Sequence, residues 1–508
     1  MGPRWRIQGN TTWNAYPPKV AELNGCTGSS MKRSRQRNTG LAIGIVLLLF
    51  LSGCGAAYSG YMSHSLKQLE KSDYEGALGK LEKPDSNTNK LLYYLEKGLI
   101  LHYQGQYEAS NLEFERAEKL SDVLYTRSVS REVAALLSND SVVAYRGEEF
   151  EMTLVHYYRA MNYQRLGERQ AALVECRKAN LRLENYAQQA EYDLSYKNDA
   201  FLQYMTGLFF EAEGELNDAY ISYKDALQGY RAYDDAFGLP IPRMLLVDLT
   251  RLADRLGYDA EAARYGERFR LRPDELQRAT GSEVVVFVES GFVPRKHQVE
   301  LTVPIMDDER KVALWTVSER AVHRYHHPRM YHRRRVDYWL KVALPEYHEV
   351  HSQVVGVRLR AGGESAMAIQ VEDLQAIAQR TFAQKFDTIM LRTVARNLAK
   401  YMASKSIEKA FESDEDDKDT DDWAKDGLGE VLGGLFNLFG RATEAADTRG
   451  WLSLPSSIRI ARLPVVEGLV APTLELIDDR GQVVAVEQLP EVAVESGETV
   501  FLNFRTFR

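Results

Sequence analysis

Residues 207–226 read GLFFEAEGELNDAYISYKDA, and this stretch decides the fold of the first half of the chain. Gly207 and Ala219 are small, Tyr223 is aromatic, and Gly214 separates two segments of helical periodicity. Small side chains let two helices pack closely, and glycine readily adopts the backbone conformation of a tight turn. The spacing therefore predicts two helices that meet at Gly214, with Tyr223 filling the gap to the next unit.

The same pattern occurs elsewhere in the first half of the chain. Further units centre on Gly105 and Gly167, a weaker one centres on Gly257, and a half-unit begins at Tyr74. The spacing resembles the tetratricopeptide repeat, a helix–turn–helix unit that buries its apolar face only by stacking on neighbours. The four turn glycines are 62, 47 and 43 residues apart, whereas that repeat has about 34 residues. The resemblance implies an irregular, all-α helical-repeat domain over residues 62–275.

The second half of the chain has the periodicity of strands interrupted by one long helix. A β-branched run at 284–288 predicts a buried strand. Apolar residues three to five positions apart, from Leu374 to Tyr401, predict one long amphipathic helix, or two with a kink between them, reaching about residue 411. We expect an α+β domain with one mostly antiparallel sheet, formed from strands on both sides of that helix. Further strands are predicted at 299–303, 312–317, 338–344, 354–359, 458–460, 474–477, 483–486 and 500–504.

Together these patterns predict an α+β multidomain protein. The repeat domain precedes the first strands and the long helix, which occupy residues 282–411. Eight of residues 412–422 are acidic, a composition typical of a solvated linker, which we assign to residues 412–426. Residues 427–508 are expected to contribute a glycine-rich apolar helix and the C-terminal strands that complete the α+β domain.

The N-terminal region has the pattern of an export signal. The stretch Leu51-Ser52-Gly53-Cys54 ends an uncharged apolar run that follows several basic residues. A basic segment, an apolar core of about ten residues and small residues before the cut are typical of a secretory signal peptide, and this core is too short to span a bilayer. The cysteine after Leu-Ser-Gly resembles the bacterial lipoprotein signal, which implies cleavage before Cys54 and lipids on its sulfur.

This resemblance divides the N-terminal region into three parts. Residues 31–53 are the signal peptide, and residues 54–61 are the lipidated tether of the mature protein. Residues 1–30 are an upstream extension outside the fold, since the basic segment begins directly after Met31. Gly55, where aspartate would retain the protein in the inner membrane, resembles the enterobacterial pattern for export to the outer membrane. We therefore expect an outer-membrane anchor and a body that faces the periplasm.

The net charge argues against one class of protein, and the cysteine content leaves one thiol unpaired. The net charge is −8 and the isoelectric point is about 5.8, which argues against a general nucleic-acid binder. Of the three cysteines, Cys26 lies in the extension and Cys54 is the lipidation site. Cys176 is therefore left without a disulfide partner, and we expect a buried thiol there.

Two sets of side chains are candidates for binding. Aromatic residues of the repeat domain could line a groove for a protein partner, although core packing explains the same pattern. Arginines after residue 323 could hold the phosphates of lipid head groups or of an anionic envelope polymer, although a solvated loop is the alternative. The aromatic set is Tyr94, Tyr103, Tyr107, Tyr157, Tyr158, Tyr163 and Phe210, and the basic set is Arg324, Arg329, Arg333, Arg334 and Arg335.

Seven of the ten histidines lie between residues 297 and 351. The stretch 348–351 reads HEVH, one residue short of the His-Glu-x-x-His motif that places two imidazoles on one helix face. We therefore predict no metal site and no cofactor. A metal-dependent or cell-wall enzyme is the alternative, and it requires several of these histidines to converge: His323, His326, His327, His348 and His351.

No nucleophile elbow, Walker loop or dinucleotide-binding motif occurs in the sequence, so we predict no catalytic residues. Residues 291–296 (GFVPRK) and 446–455 (ADTRGWLSLP) resemble an uncharacterised family of bacterial lipoproteins with tetratricopeptide-like repeats. Within the second stretch, Asp447 and Arg449 are expected to pair and fix the corner where Trp451 enters the core.

The resemblance implies a non-catalytic scaffold for protein partners in cell-envelope assembly or maintenance. We expect the repeat surface of such a scaffold to be open, and we expect neither nucleic acid nor a small-molecule substrate among its ligands. The alternatives are the enzyme described above and a binding module for anionic polymer or lipid.

Overall fold

A computed structural model describes residues 54–81, 87–126, 143–189, 196, 198–277, 281–306, 336–412 and 445–507. These residues belong to one compact unit, 53–508. Several predicted features lie outside the described residues. They are the extension (1–30), the signal peptide (31–53), the strand at 312–317, the acidic linker beyond residue 412, the glycine-rich helix within 427–440, and the basic set Arg324, Arg329, Arg333, Arg334 and Arg335.

The first half of the described chain consists of helices that come in pairs. Each pair is joined by a short turn: α1 with α2, α3 with α4, α5 with α6, α7 with α8, and α9 with α10. The helices are α1 (Cys54–Leu69), α2 (Tyr74–Lys80), α3 (Lys90–Tyr103), α4 (Tyr107–Thr126), α5 (Glu149–Arg165), α6 (Arg169–Gln189), α7 (Ala200–Ala212), α8 (Leu216–Phe237), α9 (Arg243–Arg255), α10 (Asp259–Phe269) and α11 (Pro273–Gln277).

The helix α1 begins at Cys54, so residues 54–61, predicted as a tether, form its first turns. The side chain of Tyr58 is already buried, and Met62 and Leu66 follow it into the core. Among the described helices, none combines the length and the apolar character needed to cross a bilayer.

The five pairs share one turn geometry. In each turn a residue has a positive φ, and the N–H of the next residue donates to a carbonyl five residues earlier, which satisfies the end of the first helix. The glycines predicted to open the turns hold this position in four pairs, which confirms that prediction. The turn residues and their φ angles are Ser72 (57°), Gly105 (78°), Gly167 (74°), Gly214 (78°) and Gly257 (77°).

Close packing in two of the pairs follows the predicted rule of a small residue against a large one. A methyl group on Gly98 would come within 2.7 Å of the Phe114 ring, and one on Gly207 would overlap the ring of Tyr223. Both rings are fully buried. The ring of Phe114 also stacks on Tyr158 of the next pair, with centroids 6.0 Å apart. The aromatic side chain therefore joins its own pair to its neighbour.

The second half is built from strands and one helix, α12 (Leu374–Glu412), which confirms the predicted long helix. Each predicted strand that falls on described residues is present. The strands are β1 (Glu283–Ser290), β2 (Arg295–Met306), β3 (Val336–His348), β4 (Gly356–Ala361), β5 (Glu364–Met367), β6 (Ile369–Asp373), β7 (Ser457–Pro464), β8 (Gly468–Val470), β9 (Thr473–Ile477), β10 (Val483–Gln488), β11 (Val492–Val494) and β12 (Thr499–Thr506).

The strands divide between two four-stranded sheets, so the prediction of one sheet is wrong. The first has the order β12-β1-β7-β6 and the second the order β10-β9-β4-β5. Each sheet combines strands from both sides of α12, as predicted, and the parallel pair in the first sheet is β1 with β12. Smaller two-stranded sheets join β11 to β8 and β2 to β3.

The first sheet lies between the helix pairs and the second sheet. Along β1 the side chains alternate: Val285 and Phe287 belong to the core shared with the helices, whereas Val284, Val286 and Val288 belong to the core shared with the second sheet. Because both faces of this strand are covered, its sequence is an uninterrupted apolar run. The strands β2 and β3 form a long hairpin, which packs through Leu340, Val342 and Leu344 against α12.

The close approach of α3 and α4 provides a test of the packing rule. Gly98→Ala should lower the free energy of unfolding by about 1–3 kcal/mol, although alanine favours helix formation, because the Phe114 ring has no room to move. Gly266→Ala is the matched control: a methyl group there meets nothing within 4 Å. We expect that variant to be stabilised by about 0.5–1 kcal/mol. Urea denaturation measures both, and equal effects would contradict the rule.

Candidate functional site

The first helices of the pairs form a face that is covered by the C-terminal half of the chain, and we call it the inner face. Its buried carboxylates bind the main chain of residues 447–455. Glu96 of α3 accepts a hydrogen bond from the Leu452 N–H (2.8 Å) and others from the hydroxyls of Ser453 and Tyr58. Burial raises the pKa of Glu96 to about 7, and these hydrogen bonds act in the opposite direction.

The next pair repeats this arrangement one step along the inner face. Glu151 of α5 accepts hydrogen bonds from the Trp451 N–H (2.7 Å) and the Tyr145 hydroxyl (2.6 Å). It also accepts from the N–H of Glu148, so that it caps its own helix. Burial is the main cause that raises the pKa of Glu151, followed by the charge of Glu148. The first helices of two successive pairs therefore hold two successive peptide N–H groups of one segment.

The corner that precedes this segment forms as predicted. Arg449 donates two hydrogen bonds to Asp447, from Nε to Oδ1 (2.8 Å) and from Nη2 to Oδ2 (2.7 Å). Its Nη1 donates to the main-chain carbonyls of Thr88 (3.2 Å) and Val143 (3.0 Å). The Trp451 side chain is fully buried. The predicted pairing of Asp447 with Arg449 is confirmed, and that this pair fixes the entry of Trp451 into the core stays a prediction.

A third buried carboxylate, Glu289 at the end of β1, gathers the tyrosines of the inner face. Its oxygens accept hydrogen bonds from the hydroxyls of Tyr157 (3.0 Å), Tyr158 (3.0 Å) and Tyr103. Burial raises the pKa of Glu289, while Arg505 on the neighbouring strand and the tyrosine hydroxyls act to lower it. The sequence analysis did not single out Glu96, Glu151 or Glu289, although a glutamate directly after Val284–Val288 is an unusual element of an apolar strand.

The predicted aromatic set is thus divided. Tyr157 and Tyr158 are fully buried and Phe210 is nearly so, hence these side chains are not available to a partner, and core packing explains them. Tyr103 is directed at Glu289 and lies against Tyr158. The expectation of an open repeat surface is wrong for the inner face, because the chain's own sheet covers it. Tyr94, Tyr107 and Tyr163 are partly exposed, and partner binding by these three stays a prediction.

Polar contacts extend this coverage along the whole inner face. His102 of α3 accepts a hydrogen bond from the Asn503 side chain (2.7 Å), and burial lowers its pKa to about 4, which keeps the ring neutral. At the other end, Arg462 of β7 forms ion pairs with Asp248 of α9 and Glu283 of β1. The sheet is therefore held by each of the helices α3, α5, α7 and α9, since Phe209 of α7 packs on Phe501 (4.7 Å between centroids).

The described histidines do not gather into an enzyme-like site. His297 stacks on His348 across the β2–β3 hairpin, with centroids 4.5 Å apart, and both are exposed. His323, His326 and His327 lie outside the described residues, as does His332. The enzyme reading that depends on these side chains therefore stays a prediction.

One group of side chains in the described part of the chain has the composition of a metal site: Glu118, His156 and Glu175. Arg159 donates to Glu118 (2.7 Å) and lies 3.2 Å from Glu175, and His156 Nδ1 lies 2.8 Å from Glu175. Both carboxylates are therefore already paired with a guanidinium group, and a cation would have to displace it. This group acts as an ion-pair network between α4, α5 and α6.

Burial raises the pKa of the Cys176 thiol to about 12, so this buried cysteine is unreactive.

A cleft of about 1000 Å³ opens at the far end of the helix pairs, between α7, α9, α10 and the first residues of β1 and β12. Some of the residues that line it are uncharged, and others carry charged side chains. The apolar part is formed by Leu208, Ala212, Thr250, Ala262, Ala263 and Gly266, and the charged part by Glu211, Arg251, Asp254, Arg255, Asp259 and Glu283. This volume is at the upper end of the range for small-ligand pockets.

Comparison with known proteins adds no function to this geometry. No protein-family model matches the chain, and no curated protein sequence matches it either.

The Arg449 corner generates a test of the segment that lies on the inner face. Arg449→Lys keeps the charge but loses the bidentate hydrogen bonding to Asp447, so the free energy of unfolding should fall by about 2 kcal/mol. Arg358→Lys is the matched control, because Arg358 pairs with Glu475 (2.9 Å) at a site with 35% of the arginine side chain exposed. There we expect less than about 0.5 kcal/mol. Equal losses in urea denaturation would refute the structural role of Arg449.

The raised pKa of Glu96 predicts a pH dependence of stability. In the unfolded chain this carboxyl titrates near 4.5, and in the folded protein near 7. Because the folded pKa is the higher one, the protonated form stabilises the fold, and this contribution is lost as the pH rises from 4.5 towards 7. It amounts to roughly 3 kcal/mol.

Glu96→Gln should remove this part of the fall in the free energy of unfolding. Urea denaturation at a series of pH values between about 4.5 and 8 measures it, and the exposed Glu491→Gln is the control. Parallel profiles for Glu96→Gln and the unaltered protein would show that Glu96 does not titrate in this range.

Proposed function

We propose that the protein is a non-catalytic scaffold of the bacterial cell envelope, anchored to the outer membrane by lipids on Cys54 and facing the periplasm. The observation that carries this proposal is the burial of Tyr58 close to Cys54. Helix α1 begins at Cys54, and Tyr58, four residues later, is buried and donates its hydroxyl to Glu96 (3.3 Å). Four helical residues rise about 6 Å. Lipids on the sulfur would therefore hold the folded body directly at the membrane.

The helix pairs are proposed to be tetratricopeptide-type repeats. Their shared turns, and the small-against-large contacts of Gly98 with Phe114 and of Gly207 with Tyr223, support this assignment. Repeats of this kind serve as rigid binding platforms, because each unit is held by its neighbours. In this protein the sheet fixes the inner face, so partners are expected at the partly exposed rings and at the cleft beside α10.

A non-catalytic role also agrees with the environment of the titratable groups. Glu96, Glu151 and Glu289 are buried and hydrogen-bonded to the chain itself, so none of them is presented to a substrate. We further propose that the protein belongs with the uncharacterised lipoproteins that its 446–455 stretch resembles, since Arg449 and Trp451 of that stretch fix the corner described above.

The anchor is tested by Cys54→Ser in cells given a fatty-acid label. The unaltered protein should carry the label and fractionate with the outer membrane, whereas Cys54→Ser should carry none, because serine offers no thiol for the lipid. Cys176→Ser is the control and should be labelled like the unaltered protein, since that thiol is buried. A body found in the cytosol, or an unlabelled parent protein, would overturn the proposal.

A further inference from the structure

Two imidazole rings meet on one face of the β2–β3 hairpin. His297 lies on β2 and His348 on β3, and their rings stack with centroids 4.5 Å apart and 29° between the planes. Both side chains are exposed to solvent. The two strands are paired without a break from Arg295 opposite His348 to Ile305 opposite Tyr338. The register of the hairpin therefore holds the two rings side by side.

A carboxylate lies beside these rings. Glu346 is directly opposite His297 in the register and two residues before His348 on its own strand, so its side chain lies on the same face of the hairpin. Its Oε2 lies 4.0 Å from His348 Nε2, and 59% of each of these two side chains is exposed. Two imidazoles and one carboxylate are thus gathered at the surface, within reach of a single ion.

These three groups have no competing partner in the part of the chain that the structure describes. No hydrogen bond to either ring or to the Glu346 carboxylate is found there, and the 4.0 Å approach to His348 is too long to be one. The group of Glu118, His156 and Glu175 differs in this respect, because a guanidinium already lies against both of its carboxylates. An ion at the hairpin would displace only water.

Two positively charged residues lie close to the site. Lys296 is buried and paired with Glu148 (2.5 Å), and the Arg295 guanidinium lies over the Phe292 ring, 5.8 Å from its centroid. Neither forms an ion pair with Glu346 within the described residues. Their charge opposes a further cation, so we expect moderate rather than tight binding.

We propose that His297, His348 and Glu346 bind a zinc ion on the surface of the hairpin. Imidazole nitrogen and carboxylate oxygen are ordinary zinc ligands, and two histidines with one glutamate leave a fourth position open to water. Ligand nitrogens of a tetrahedral zinc ion lie about 3.4 Å apart, so the rings must tilt out of their stack. Exposed side chains make such rotations readily. This inference goes beyond the proposed scaffold function and does not depend on it.

The prediction of no metal site came from the spacing within the HEVH stretch, which compares His348 with His351. In the structure the ring beside His348 is instead that of His297, on the opposite strand. Only the register of the hairpin brings these two residues together, so no spacing along a single segment reveals the pair.

The test is a titration of the full-length protein in detergent micelles with zinc chloride, followed by NMR of histidines labelled with ¹³C at Cε1. The signals of the pair are assigned with His297→Ala and His348→Ala. We expect both signals to shift together and to saturate, because one ion binds both rings. Magnesium chloride should produce no such shift, since magnesium prefers oxygen ligands.

Variants then show whether the three groups act as one site. His297→Ala should weaken zinc binding at His348 by about 10-fold to 100-fold, because a chelate is reduced to a weaker site, and the reciprocal variant should have the same effect. Glu346→Gln should weaken binding by about tenfold, since a neutral amide replaces a charged ligand. His351→Ala is the matched control: this histidine is exposed nearby but lies outside the pair, so the zinc affinity should not change.

Three results would overturn the inference: no saturable shift of either signal up to about 1 mM zinc, equal shifts with magnesium, or undiminished zinc affinity of His348 in His297→Ala. The replaced side chains are exposed, and an unchanged Tm without zinc checks that each variant folds. If one does not fold, the titrations of the unaltered protein with the two metals decide the matter. A protein that carries the fatty-acid label but binds no zinc would leave the scaffold proposal in place and remove only the metal site.

Discussion

The structure depends on carboxylates that lie on the inner face of a helix array and must receive hydrogen bonds there. Glu96 and Glu151 are buried, and their donors come from the main chain of Trp451 and Leu452 and from the Ser453 hydroxyl. For Glu289 the acceptor and the donors are exchanged between the two layers: the carboxylate lies on the sheet, and its donors are tyrosines of the helices. A buried polar group that loses its hydrogen-bond partner costs about 1–3 kcal/mol. The helices and the sheet therefore stabilise each other only when both are in place.

This polar interface also fixes one alignment of the sheet on the helices. Apolar contacts such as Phe209 with Phe501 tolerate small displacements, because packing attraction has little directionality. Hydrogen bonds to Glu96 and Glu151 do not tolerate such displacements. A shift of one residue along the 447–455 segment would present the wrong N–H groups to these carboxylates. The bidentate pair of Arg449 with Asp447 lies at the start of that segment. The array thus binds a peptide of its own chain in one register.

The sequence predicted the local elements well and their assembly only in part. Gly105, Gly167 and Gly214 identified the turns, and the valine run at 284–288 identified β1, because both patterns reflect interactions between close neighbours in the chain. The division into two sheets depends on pairing between strands more than a hundred residues apart, such as β1 with β12. The tyrosines of α5 follow a pattern that suits a groove or a core equally, and only the position of Glu289 distinguishes the two.

Glu96 joins the two ends of the folded body, since it accepts a hydrogen bond from Tyr58 in the first helix and others from Leu452 and Ser453 near the last strands. A chain is synthesised from its N-terminus, so Tyr58 is available early and Ser453 much later. Until then the carboxylate has no full set of donors, and its helix stays exposed to water. Completion of the fold therefore requires the C-terminal half, and a chain cut short during synthesis would present unfinished, protease-sensitive helices.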